Sequence, residues 1–204
     1  STWAEQLETD LHGKFTVLNF GVPVHSSAQH LIYTAFYQKL LKKRPVCAIY
    51  YVGWNDLFNL DVVDLDPAYA NYLSLLLVVR KSPFWAAKYS PLVRLSYILA
   101  QRRFDSVPIA PNDSAKRPAI DSEERLKDIF IENIRTIAAI NNSRGVKTIF
   151  VGQMINRDLL TLRPDFKFFS PFINSQAIWP MHERFNNILK DTSAVVGAGY
   201  IDAG

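Results

Sequence analysis

Val46-Cys47-Ala48-Ile49-Tyr50-Tyr51-Val52 runs directly into Gly53-Trp54-Asn55-Asp56-Leu57. The first seven residues are apolar or aromatic on both alternating sets, the pattern of a strand buried on both faces. Such strands belong to parallel sheets covered by helices. Cys47 lies inside this run and reads as a small core residue. It is the sole cysteine, so it forms no internal disulfide. Behind the strand, Gly, Asn and Asp supply the backbone angles and local hydrogen bonds of a turn.

Working outward, the same grammar repeats on both sides. Upstream, Phe15-Thr16-Val17-Leu18-Asn19-Phe20 is a β-rich run ending in the turn Gly21-Val22-Pro23. Ser26 with Gln29 three positions on is a capping-box helix start. Leu31, Ile32, Ala35, Phe36 and Leu40 follow at helical spacing, and Pro45 ends that helix. Downstream, Asp121 and Glu124 open a helix with an apolar face of Leu126, Ile129, Phe130, Ile134, Ile137 and Ile140, closed by Gly145. Residues 146–151 are the next strand, 181–191 a further helix, and Val195-Val196 with Tyr200-Ile201 suggest a last strand. Strands alternating with helices predict an α/β fold, a parallel sheet with helices on both sides. Between them lies an insertion, residues 57–120, rich in Pro, Trp and Tyr. It reads as helical over 68–80 and 84–104, with a mobile loop over 108–118.

The chain has 204 residues, enough for one domain at about 150 residues per domain. Its 49% hydrophobic and 21% charged residues exclude disordered and fibrous classes. No apolar run approaches the roughly 20 residues of a membrane helix, so no membrane span is expected. The first residues, Ser1 to Leu7, have neither the basic start nor the apolar stretch of a signal peptide. A net charge of +4 is mild. The basic clusters Lys42-Lys43-Arg44, Arg80-Lys81, Arg102-Arg103 and Lys116-Arg117 are short and scattered. They read as solvated ends of elements rather than a nucleic-acid stripe, and no nucleic-acid partner is expected. There is no His-Glu-x-x-His, no cysteine pair, no Gly-x-Gly-x-x-Gly and no Gly-Lys-Ser/Thr loop, hence no expected metal or cofactor.

In an open α/β sheet, ligands bind beyond the carboxyl ends of the strands. Two loops fall there: Asn19-Phe20-Gly21-Val22-Pro23-Val24-His25-Ser26-Ser27 and Gly53-Trp54-Asn55-Asp56-Leu57. Taken singly, each is explained as a turn and a helix cap. Together and in this order, they resemble the second and third sequence blocks of the SGNH/GDSL hydrolase superfamily. Residues 146–156, with Gly152 and Gln153, are similar to that family's fourth strand and following loop. The resemblance covers roughly residues 5–56 and 121–204, and the insertion carries none of it.

The resemblance implies a three-layer α/β/α, flavodoxin-like parallel sheet. It also implies a serine hydrolase (esterase or O-deacetylase) acting on a small-molecule or carbohydrate acyl ester through an acyl-enzyme. The oxyanion hole of that family combines the nucleophile's amide, a second-block amide and the third-block Asn side chain. Asn55 fills the last role, since its NH₂ donates without titrating. Val24 occupies the position of the second-block amide donor, where the family usually has Gly. Asp56 is expected to fix the loop rather than react.

Neither the family's Gly-Asp-Ser block nor its Asp-x-x-His block is present in these residues. Ser1 has no strand ahead of it to aim it. None of His12, His25, His30 and His182 has Asp three positions before it, and none is assigned a triad role. The expectation is a single SGNH-like domain over 1–204 that is incomplete at both ends. Its nucleophile and base then lie outside the sequence, and the strand bearing the nucleophile belongs between strands present here. Two alternatives stay open: a non-catalytic α/β module binding a ligand or partner, and an O-acetyltransferase using the same site.

Overall fold

A computed structural model describes residues 2–22, 25–38, 41–57, 59, 122–155 and 175–203, without the side chains of Ser122 and residues 175–178. Three strands, β1 (Cys47–Tyr51), β2 (Lys147–Val151) and β3 (Gly199–Ile201), pair in that order. Both pairings are parallel, with Tyr50, Phe150 and Tyr200 in register across the sheet. The fold is therefore α/β.

The helices follow from periodicity and caps. Helix α1 (Trp3–Asp10) starts on a Thr2–Glu5 capping box. Helix α2 (Ser27–Ile32) is capped by Ser26, whose N–H donates to Gln29 Oε1 at 2.9 Å, and it continues as a π-helical turn, Tyr33–Tyr37. A single turn, α3 (Trp54–Leu57), follows β1. Helix α4 (Ser122–Ser143) precedes β2, and α5 (Ser175–Val195) precedes β3.

The core is the seam between α4, α5 and one face of the sheet. Leu126, Phe130, Ile134 and Ile137 of α4 recur at helical spacing and are fully buried. They join Tyr50, Phe150, Phe185 and Leu189 in one cluster. Gly145, at φ +66°, closes α4 in the left-handed conformation that suits glycine. Beyond the cluster, buried Asn141 donates to Tyr50 Oη and Thr148 Oγ1, both at 3.0 Å, and accepts from Gln38 at 3.0 Å. Arg144 donates to the carbonyls of Thr34 and Ala35 in the π-helical turn.

Three expectations need correction, and of the helices expected on both faces of the sheet the described residues show one face covered. Residues 15–20 form no strand: Phe15, Leu18 and Phe20 are exposed, and the Val17 N–H bonds the Glu8 carboxylate at 2.8 Å instead. A β-rich run becomes a strand only with a ladder to join, and no described strand lies beside it.

The described helices α4 and α5 both pack against the face that carries Tyr50 and Phe150. Ile49, Tyr51 and Ile201, on the opposite face, are exposed. Two crossovers that step the same way across a sheet with one handedness land on the same side. Cys47 is accordingly only half-buried.

Val195 belongs to α5 and Val196 to a turn, so β3 starts only at Gly199. Helix α5 also begins six residues earlier than its apolar pattern, and Pro180 lies within it. The proline removes one hydrogen bond near the helix start, where few are yet formed. Asp121, Leu40 and the insertion from residue 60 onward lie outside the described residues.

Candidate active site

The carboxyl ends of all three strands open on the same rim. Strand β1 passes through buried Val52 to Gly53, whose φ of +124° few other residues adopt. This turn aims Asn55 and Asp56 back toward the start of α2. The Asn55 amide donates to the His25 carbonyl at 2.9 Å. Asp56 is fully buried and accepts the Ser27 N–H through both oxygens, at 3.1 and 3.0 Å, and the Ser27 hydroxyl at 2.5 Å. Asn133, from α4, donates to the same hydroxyl at 3.0 Å. Loops thirty residues apart in sequence are thus locked together by a carboxylate at the start of a helix, where the dipole favours it.

Strand β2 contributes the other side. The Gln153 side chain accepts the Trp54 N–H. Asn186 of α5 grips the Gln153 backbone twice, accepting its N–H at 3.0 Å and donating to its carbonyl at 2.9 Å. The Met154 N–H donates to Tyr51 Oη at 3.1 Å. Gly152 sits so close to Tyr200 that an added Cβ would run into the phenol, with the ring carbon at 3.2 Å. Its N–H donates to Ile201 O at 2.9 Å, joining the third strand end to the rim.

Of the two oxyanion residues expected from sequence, Asn55 is on this rim, half-buried and held by His25. Val24 lies outside the described residues, as do Ser1 and the insertion aromatics Phe84, Trp85, Tyr89 and Tyr97. His12 stands in a turn at φ +52°. Ser27 is no nucleophile candidate, because its hydroxyl is buried and spent on Asp56. Sequence patterns did not single out Asn133 or Asn186. Each is one asparagine on an amphipathic helix, and only the tertiary contact separates it from a surface residue.

Histidines cluster beside the rim. The His25 ring lies 5.2 Å from Tyr33 and 6.1 Å from His30, and His30 lies 6.1 Å edge-on to Tyr50. Burial, reinforced by the neighbouring His25, pushes His30 from its ordinary 6.5 down to about 4. Between these values the unfolded chain binds more protons than the native one, so stability is full above pH 6.5 and declines as pH falls toward 4. We expect a loss of about 2–3 kcal/mol over that window by urea unfolding. His30→Leu is expected to flatten most of the slope, and an unchanged slope assigns the acid sensitivity elsewhere.

Among the described residues no group of three or more His, Cys, Asp or Glu side chains is arranged to hold a metal. No described helix is long and apolar enough to cross a membrane. Compared with family models, with curated proteins and with solved structures, the chain finds no match.

Proposed function

We propose that the chain forms the oxyanion-hole side of an SGNH-type serine hydrolase with a three-layer, flavodoxin-like sheet. It acts on carboxylic esters of small molecules or carbohydrates, and its nucleophilic serine and histidine base come from outside these 204 residues. The observation that carries the proposal is the locking of the two motif loops onto each other through Asn55–His25 and Asp56–Ser27. An oxyanion hole needs donors fixed in advance. The Asn55 NH₂ has two protons. One is held by the His25 carbonyl, which sets the amide plane and leaves the second to donate to an oxyanion.

A further support comes from the sheet. In the resembled fold the strand bearing the nucleophile runs between residues 15–20 and β1. Here Phe15, Leu18 and Phe20 are exposed, and among the described residues the outer edge of β1 has no paired strand. A strand paired along that edge of β1 would carry its serine to the rim beside Asn55.

The serine hydroxyl would add to the ester carbonyl while the histidine takes its proton. The proton then leaves with the alcohol, and water releases the acid from the acyl-enzyme. A fluorophosphonate probe, which reports an activated serine by phosphonylating it with loss of fluoride, tests this directly. Protein extended by the flanking coding sequence on both sides is expected to label, and the 204-residue chain is not. Equal labelling of both places the nucleophile within these residues, and labelling of neither removes the hydrolase assignment.

A further inference from the structure

The Asn55 side chain is tethered to the His25 carbonyl, but that bond fixes only its tip. Where the tip stands depends on the backbone of α3, a single turn of four residues and too short to hold itself in place. Its first N–H, that of Trp54, has no carbonyl four residues back within the helix. It donates instead to the side-chain oxygen of Gln153, in the loop after β2. The same oxygen would stand 3.8 Å from a Cβ on Gly53, so Gln153 lies against the turn itself.

Gln153 is buried and is held in its turn from α5. Asn186 accepts its N–H at 3.0 Å and donates to its carbonyl at 2.9 Å. Two opposed bonds to one residue fix its backbone as a paired strand would. Asn186 stands in α5 between Phe185 and Leu189, both buried in the core cluster, so it cannot shift without disturbing close-packed neighbours. One turn earlier on α5, the His182 ring meets Trp54 edge-on at 5.5 Å, a second hold on the same residue.

We propose that Asn186 and Gln153 are positioning residues for the Asn55 amide. Helix α5 sets Gln153, Gln153 sets the first amide of α3, and α3 aims the Asn55 NH₂ at the oxyanion. Donors fixed in advance need no reorganisation during the reaction, and small misplacements of them cost rate. The consequence for rate rests on the hydrolase reading above, whereas the hold on Asn55 does not.

Gln153→Met keeps the length of the side chain and removes the acceptor. In the 204-residue variant, the Trp54 backbone amide is expected to exchange about tenfold faster, the loss of one hydrogen bond, and the Asn55 side-chain ¹⁵N–¹H resonances to shift. In protein extended to include the serine and histidine blocks, kcat on an acetyl ester is expected to fall about tenfold with KM little changed. That lies within the loss of about 10²–10³ expected from removing the Asn55 donor outright. A residue that acts through Asn55 has nothing left to lose once Asn55 is gone. Gln153→Met in an Asn55→Ala background is therefore expected to change kcat by less than about twofold. Asn186→Asp, which keeps the acceptor for the Gln153 N–H and loses the donor to its carbonyl, is expected to show the same pattern and serves if the first variant fails to fold. Equal losses of kcat in the two backgrounds mark a merely structural role and overturn the proposal. Asn55 resonances that stay in place in a folded variant overturn it as well. An extended parent without turnover overturns the hydrolase reading alone, and the resonances then decide whether Gln153 fixes Asn55.

Discussion

Asp56→Ala is expected to lower the free energy of unfolding by about 3 kcal/mol, as measured by urea denaturation at pH 7. Three hydrogen bonds from Ser27 end on this carboxylate. Bonds to a charged acceptor are worth about 1.5–3 kcal/mol each, but three that share one donor residue do not add in full. Removal also leaves the Ser27 N–H at the start of α2 without an acceptor in a buried site. Ser27→Ala should cost less, about 1 kcal/mol, because the carboxylate keeps the backbone N–H. The double variant should fall close to Asp56→Ala alone, the signature of one shared interaction. A loss below about 0.5 kcal/mol for Asp56→Ala would mean that the two loops are held by something else.

The same residue shows what was legible in the sequence. Gly53-x-Asn55-Asp56 after an apolar run was readable as a turn at a strand end, because φ-permissive and side-chain-bonding residues leave a local signature. That Asp56 would reach across to Ser27 was not local. It depends on α2 and α3 meeting over the sheet, and single-sequence periodicity carries no such distance. Helix α4 was legible almost residue by residue, since a stripe from Leu126 to Ile137 fits only one face of one helix.

The segment 15–20 misled because strand propensity describes fitness for a ladder, not possession of one. Helix α5 extends six residues before the segment 181–191 that the sequence marks as helical, with Pro180 inside it. Of the rim, the loop asparagine was visible while the helical asparagines 133 and 186 were not. Polar residues on amphipathic helices are ordinarily solvent-facing, and nothing in spacing marks the exceptions.

Asn55→Ala, introduced into protein extended to include the serine and histidine blocks, is expected to lower kcat on an acetyl ester by about 10²–10³. KM should change little, because the oxyanion exists only in the transition state and the ground-state carbonyl draws far less from the donor. The variant also loses the Asn55–His25 tether, so its stability must be measured beside its rate. One neutral hydrogen bond is worth about 1 kcal/mol, too little to unfold the protein or to explain a hundredfold rate loss. Asn55→Asp sharpens the distinction. It keeps the shape of the side chain but replaces a donor by a carboxylate, which repels both the His25 carbonyl and a developing oxyanion. Its kcat should fall below that of the alanine variant. If both variants turn over as fast as the parent, the amide is a loop fastener and the oxyanion is stabilised elsewhere. If kcat holds while KM rises, Asn55 contacts the bound ester rather than its transition state.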